Sequence, residues 1–110
     1  MSDYERPLLA AEGYAELQMF DEALAVLDKL PAEAAQNPTV IEKRIVVLMQ
    51  GRRWKEALQK SEELCRLLPD APGGFIHAAF CLHGLGRSAE AKETLLRGPA
   101  TLHDVPTFHY

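Results

Sequence analysis

Residues 38–71 read PTVIEKRIVVLMQGRRWKEALQKSEELCRLLPDA, and two markers in that stretch recur on both sides of it. Ala57, which follows the central turn, has counterparts at Ala23 and Ala91, each preceded by a glutamate (Glu22, Glu56, Glu90). The opening Pro38 has counterparts at Pro72 and Pro106. Both sets keep an interval of 34 residues. Two independent markers at one interval make an internal repeat, and a period of this length means stacked supersecondary units.

Inside the stretch, Val40, Ile41, Ile45, Val47 and Leu48 recur at helical spacing and are closed by Gly51. Trp54, Ala57, Leu58, Leu64, Leu67 and Leu68 form a second run that meets Pro69. Upstream, Leu8, Leu9, Ala11, Ala15 and Leu17 make one stripe with Tyr14 among them; Phe20, Ala23, Leu24, Leu27 and Leu30 make another, halted by Pro31. Downstream, a run from Pro72 carries Phe75, Ala78, Ala79 and Leu82 and loosens at Gly84 and Gly86. Ala89, Ala91, Leu95 and Leu96 then lead to Gly98 and Pro99. No segment alternates as a half-buried strand does, so the chain is expected to be all-α, with six helices in three hairpins. The expected units are 4–37, 38–71 and 72–105 of a single domain, with 106–110 starting a fourth first helix or acting as a partial cap.

The breaks have local causes. Pro31, Pro69 and Pro99 lack an amide hydrogen and clash with the preceding turn, so each ends a helix. Asn37–Pro38 reads as a capping asparagine with proline at the first helical position, and Ala71–Pro72 repeats that start with a weaker cap. Pro7 falls within the free first turn of a helix starting near Tyr4, and Pro31 to Asn37 forms an atypical joint with room for one helical turn. The recurring alanines let two helices of a hairpin approach closely without loss of helix propensity. Phe20 and Trp54, three residues before the alanine, are expected to fill the hairpin elbow, which Ser88 leaves less well packed in the third unit.

A net charge of -4 argues against nucleic acid as a partner, because phosphate binding needs a basic surface. The charge is uneven: residues 1–37 hold eight acids and two bases, and residues 38–71 hold five acids and seven bases. Asp28 with Lys29 and Glu56 with Lys60 read as surface charge, and Arg52, Arg53 and Lys55 around Trp54 as a solvated basic turn. Cys65 and Cys81 are too few for a disulfide framework or a zinc site and lie in apolar helical segments, as small hydrophobes do. The N-terminus lacks the features of a signal peptide and no apolar run approaches the ~20 residues that span a bilayer, so the cytoplasm is the expected compartment and no membrane partner is expected.

Nothing in the chain assembles catalytic chemistry. His77 and His83 are six residues apart and fall on different helix faces, so no metal is expected, and Gly84-Leu85-Gly86 is a turn without the strand and lysine of a phosphate loop. Neither cysteine has the electropositive surroundings of a nucleophile. The expectation is a non-enzyme that needs no cofactor.

From about Tyr4 to His103 the chain resembles the tetratricopeptide repeat family, whose unit is a 34-residue helix–turn–helix. The resemblance rests on Ala23, Ala57 and Ala91 after the turns, on Tyr14 in the first helix with Leu48 and Leu82 at its later equivalents, and on the small pairs Ala10-Ala11 and Ala78-Ala79, replaced by Arg44-Ile45 in the middle unit. It implies a short right-handed α-solenoid with the first helix of each pair lining a concave face, and binding of a peptide or helix of another protein. Helix geometry places Leu9, Glu12 and Glu16, then Glu42, Lys43, Val46, Met49 and Gln50, then Ile76, His77, Phe80 and His83 on that face. Val46, Met49, Ile76 and Phe80 are the expected apolar anchors, flanked by His77 and by Lys43 as the orienting charge. The family's clamp for a C-terminal carboxylate needs bases and asparagines along the first helices; here there are only Arg6, Lys43 and Arg44, with no asparagine beyond Asn37, so that version is not expected. The alternative is a structural role, a homo-oligomer through the C-terminal end, where Phe108 or Tyr110 would otherwise cover Leu96.

Overall fold

A computed structural model of the chain describes residues 4–99. Six α-helices follow one another: α1 (Glu5–Glu16), α2 (Phe20–Asp28), α3 (Pro38–Gln50), α4 (Trp54–Leu67), α5 (Gly73–Gly84) and α6 (Ser88–Arg97). A 3-10 turn at Ala32–Gln36 separates α2 from α3, and the described residues contain no strand. Helices α1 and α2, α3 and α4, and α5 and α6 pack as hairpins; α3 then lies against α1 and α2, and α5 against α3 and α4. The architecture is the all-α solenoid expected from the repeat. Readings that fall on residues 100–110, including Pro106 as a unit start and Phe108 or Tyr110 over Leu96, lie outside the described residues.

Asn37 caps α3 as its sequence suggests: its side-chain oxygen accepts from the amides of Thr39 at 2.9 Å and Val40 at 3.3 Å, with Pro38 in the first turn. Pro72 behaves differently. Helix α5 starts at Gly73, so Pro72 itself takes the cap position, where its ring has no acceptor to offer and no side-chain cap forms. Pro7 sits within the first turn of α1, where its missing N–H costs nothing. The joint after Pro31 makes the single 3-10 turn, which turns Ala34 into the first core, where it is 1% exposed.

Each hairpin turn is built the same way. Gln18, Arg52 and Gly86, again 34 residues apart, take left-handed φ values of 62°, 58° and 79°. The next amide reaches back to the first helix in every case: Met19 to Tyr14 O at 2.9 Å, Arg53 to Leu48 O at 2.8 Å and Arg87 to Leu82 O at 2.8 Å. This is the left-handed helix ending that satisfies otherwise orphaned carbonyls. Gly51, which the sequence offers as the helix closer, has an ordinary φ of -81°.

The elbow aromatics also do more than the sequence suggests. A methyl group on Gly51 would lie 3.2 Å from the Phe20 ring, and one on Gly84 would lie 2.5 Å from the Trp54 ring. Phe20 and Trp54 therefore dock on the first helix of the following hairpin and fix the stacking of units. Ser88, at the same position of the third unit, instead meets His83 Nδ1 of its own hairpin at 3.0 Å.

Ala23 and Ala57 are 0% exposed and Ala91 is 8% exposed, in keeping with close helix crossings. Two polar residues also enter the core. Ser61 donates to the Ala57 carbonyl at 2.7 Å and Thr94 to the Glu90 carbonyl at 2.9 Å, so neither hydroxyl is left unsatisfied. Several charges take partners other than those that sequence spacing suggests. Asp28 meets Arg44 at 2.8 Å and not Lys29, Lys60 meets Glu63 at 3.0 Å and not Glu56, and Arg53 of the basic turn pairs with Asp21. Arg44 thus replaces the small residue of the other units by reaching out to α2.

Candidate binding groove

The three first helices are linked side to side by two polar contacts. Lys43 Nζ of α3 meets Glu12 Oε2 of α1 at 3.1 Å, and His77 Nε2 of α5 lies 3.7 Å from Glu42 Oε1 of α3. Helical spacing groups Glu5, Leu9, Glu12 and Glu16 on one stripe of α1. Its 34-residue counterparts are Thr39, Lys43, Val46 and Gln50 on α3 and Gly73, His77, Phe80 and Gly84 on α5, and beside them run Glu42 and Met49 on α3 and Ile76 and His83 on α5. The 34-residue interval puts Glu12, Val46 and Phe80 in one row across the three helices.

Side-chain exposure separates the residues of that face. Phe80 is 58% exposed, whereas Val46, Met49 and Ile76 are half-buried. Met49 packs both on Ile41, Ile45 and Leu64 and on Leu48, Ala57 and Cys81, so most of it belongs to the floor of the face. Phe80 is the one member of this apolar set that presents its ring openly to solvent. Lys43 is not a free orienting charge, since Glu12 holds its ammonium group. His77 approaches the Glu42 carboxylate more loosely, at 3.7 Å, beyond hydrogen-bond distance. Beneath the face, Gly74 draws α5 onto the α4 backbone: a methyl group there would lie 2.8 Å from the Cys65 nitrogen.

Two clefts between second helices were not anticipated. One of about 430 Å³ lies between α2 and α4, lined by Asp21, Asp28, Arg44, Arg53, Gln59 and Lys60 among others. The other, of about 650 Å³, is bounded by α4, α5 and α6, with Leu58, Phe75 and Leu82 beside Arg66, Arg87, Arg97, Glu62, Glu90 and Glu93. Their signal in the sequence was charge at matching positions of successive second helices, which becomes legible only when the hairpins are stacked. Both clefts mix the two signs of charge. Arg87 and Glu90 illustrate this with a bidentate pair at 2.5 and 2.7 Å that holds the Glu90 carboxyl below its ordinary range.

The chemistry of the thiols runs against catalysis. Burial pushes Cys65 up, with Glu62 adding to the effect, and burial likewise pushes Cys81 up. A nucleophilic cysteine needs the opposite shift. Among the described residues no group of three or more His, Cys, Asp or Glu is placed to hold a metal ion, and no helix is long and apolar enough to cross a membrane.

No protein-family model matches the chain, and no curated protein matches it. Among solved structures, the chain is similar to the Yersinia enterocolitica type III secretion translocator chaperone SycD, crystallised as an alternative dimer. The sequence identity is 21%, the match covers 99% of this chain and 83% of that chain, and the TM-score is 0.77. At that identity the likeness establishes the fold: this chain is a tetratricopeptide-like helical stack.

Proposed function

We propose that this protein is a non-enzymatic binding module that holds a peptide or helix of another protein against the concave face of its first helices, with Phe80 as the principal anchor. The observation that carries the reading is the exposed Phe80 ring beside half-buried Val46, Met49 and Ile76. A large exposed apolar side chain next to further apolar surface is the usual mark of a partner site. Burying one such side chain fully is worth ~1.5–3 kcal/mol, enough for an anchor when several neighbours contribute. Lys43 and His77 border the strip but face Glu12 and Glu42, so in this reading they shape the groove wall. The likeness to a translocator chaperone supports a holding role, in which the stack shields an apolar segment of a client. The two free thiols, Cys65 and Cys81, suit a reducing compartment such as the cytoplasm.

Panning a random-peptide display library on the folded chain tests the proposal whatever the identity of the client. Selected peptides are expected to lose about tenfold or more in affinity on Phe80→Ala, the equivalent of ~1.4 kcal/mol. Helix content and urea midpoint should stay unchanged, since the ring is mostly outside the core. Peptides that bind the variant as tightly as the parent would move the binding surface elsewhere. Self-association is the second reading, supported by the dimeric crystal of SycD; sedimentation over a dilution series decides it.

A further inference from the structure

We infer that the occupant of this groove is a cationic amphipathic segment, one that sets apolar residues against Phe80 and Lys or Arg side chains against α1. The inference rests on the concave-face reading above and adds the chemistry of the partner.

The groove is chemically graded along the stack. Its α5 end is apolar: Gly73–Gly84 contains Phe80 in the row of Glu12, Ile76 one turn before it, and no lysine, arginine or carboxylate. Its α1 end carries Glu5, Glu12 and Glu16 on one stripe, around the 61% exposed Leu9. None of the lysines or arginines of the first helices stands free on this face. Lys43 is held by Glu12, Arg44 reaches away to Asp28, and Arg6 lies about 100° round α1 from Glu5. Even the carboxylates that face Lys43 and His77 stay open, with the Glu12 side chain 50% exposed and that of Glu42 58% exposed. Glu5 and Glu16 have no ion-pair partner among the described residues.

The face therefore has an acidic end, in which Glu12 alone is paired, joined to an apolar end, whereas the second-helix clefts pair acids with bases. Complementary charge selects among partners and steers them, and like charge is rejected. A segment with its own carboxylates would meet Glu5, Glu12 and Glu16 without a free cation to relieve them. A segment with lysines or arginines beside leucine-like residues satisfies both ends at once.

Three fluorescein-labelled peptides of about 18 residues test this, with leucines at one helical spacing and Lys, Gln or Glu at the remaining positions. Binding is read by anisotropy to the intact chain at low and at high salt. The Lys peptide is expected to bind about tenfold tighter than the Glu peptide at low salt, and to lose most of that advantage at high salt. Glu5→Gln with Glu16→Gln should weaken the Lys peptide several-fold and leave the Gln peptide unaffected, while Glu62→Gln with Glu93→Gln, a change of equal charge on the outer cleft, should not. No binding by the Lys peptide, equal binding of the Glu peptide, or an equal effect of the outer pair overturns the inference. Phe80→Ala separates the two levels. If it weakens the peptides while charge makes no difference, the groove stands and its cationic preference falls; if it leaves the Lys peptide untouched, the groove reading itself falls.

Discussion

Gly51, Gly84 and Gly86 stand at similar places in the sequence, each near a helix–helix turn, yet they are glycines for different reasons. Gly86 occupies the left-handed position, with φ 79°. Gly51 and Gly84 make room for the Phe20 and Trp54 rings of the preceding unit. The left-handed positions of the other two turns are filled by Gln18 and Arg52, which adopt that conformation at a cost of roughly 1–2 kcal/mol. Nothing in those two letters announces the geometry, because the compensating hydrogen bonds are made by the backbone around them. A contrast between two glycines checks the assignment. Gly84→Ala is expected to destabilise by about 1–3 kcal/mol, since its methyl would collide with a ring that is itself wedged between helices. Gly13→Ala, in mid-helix with nothing within 4 Å of the added methyl, should stabilise by roughly 0.5–1 kcal/mol. Urea unfolding of both variants measures the difference, and equal midpoints would remove Trp54 as the device that registers the stack.

At the scale of elements, the ends of helices were legible where a side chain or a proline acts locally. Asn37 is the example: cap, proline and apolar run follow one another, and the structure supplies the two hydrogen bonds. Asn37→Ala is expected to cost about 1 kcal/mol in thermal or urea unfolding, while Thr39→Ala, whose amide and not its side chain makes the contact, should cost less. Pairing between elements was less legible. Asp28 chooses Arg44 on α3 over its sequence neighbour Lys29, because adjacent residues on a helix do not face each other and the next hairpin brings a guanidinium within reach. The same holds for the proposed groove. Helical spacing gathers Val46, Met49, Ile76 and Phe80 on one side, but which of them is floor and which is anchor depends on the helices packed beneath. Lys43 could be read as a free cation until α1 placed Glu12 beside it; as an exposed pair it adds little, and Lys43→Ala should change the unfolding free energy by less than about 1 kcal/mol.

The whole molecule is held together by apolar clusters that pass from hairpin to hairpin. The first joins Leu8, Ala11, Ala23 and Leu27 to Val40 and Val47 of α3, and others tie Leu48 and Ala57 to Cys81 of α5. No hairpin buries its apolar side alone, so the stack should unfold as one unit. Ile45, fully buried at the centre, is the place to test this. Ile45→Ala is expected to cost about 2–5 kcal/mol, the range of large-to-small core changes. Helix content and Trp54 fluorescence should still report a single, coincident transition. Separate transitions would mean that the α4–α5 junction and the remaining helices melt independently.

The sequence by itself determined the six helices, their 34-residue recurrence and the alanines at the crossings, because periodicity, proline and capping act over a few neighbouring residues. Only the tertiary structure decided that the aromatics clasp the next hairpin, that Lys43 is spoken for, and that Phe80 alone among the four expected anchors stands well clear of the core. Those outcomes depend on side chains some thirty residues apart meeting across stacked helices, and that distance is closed by packing, which no local pattern encodes.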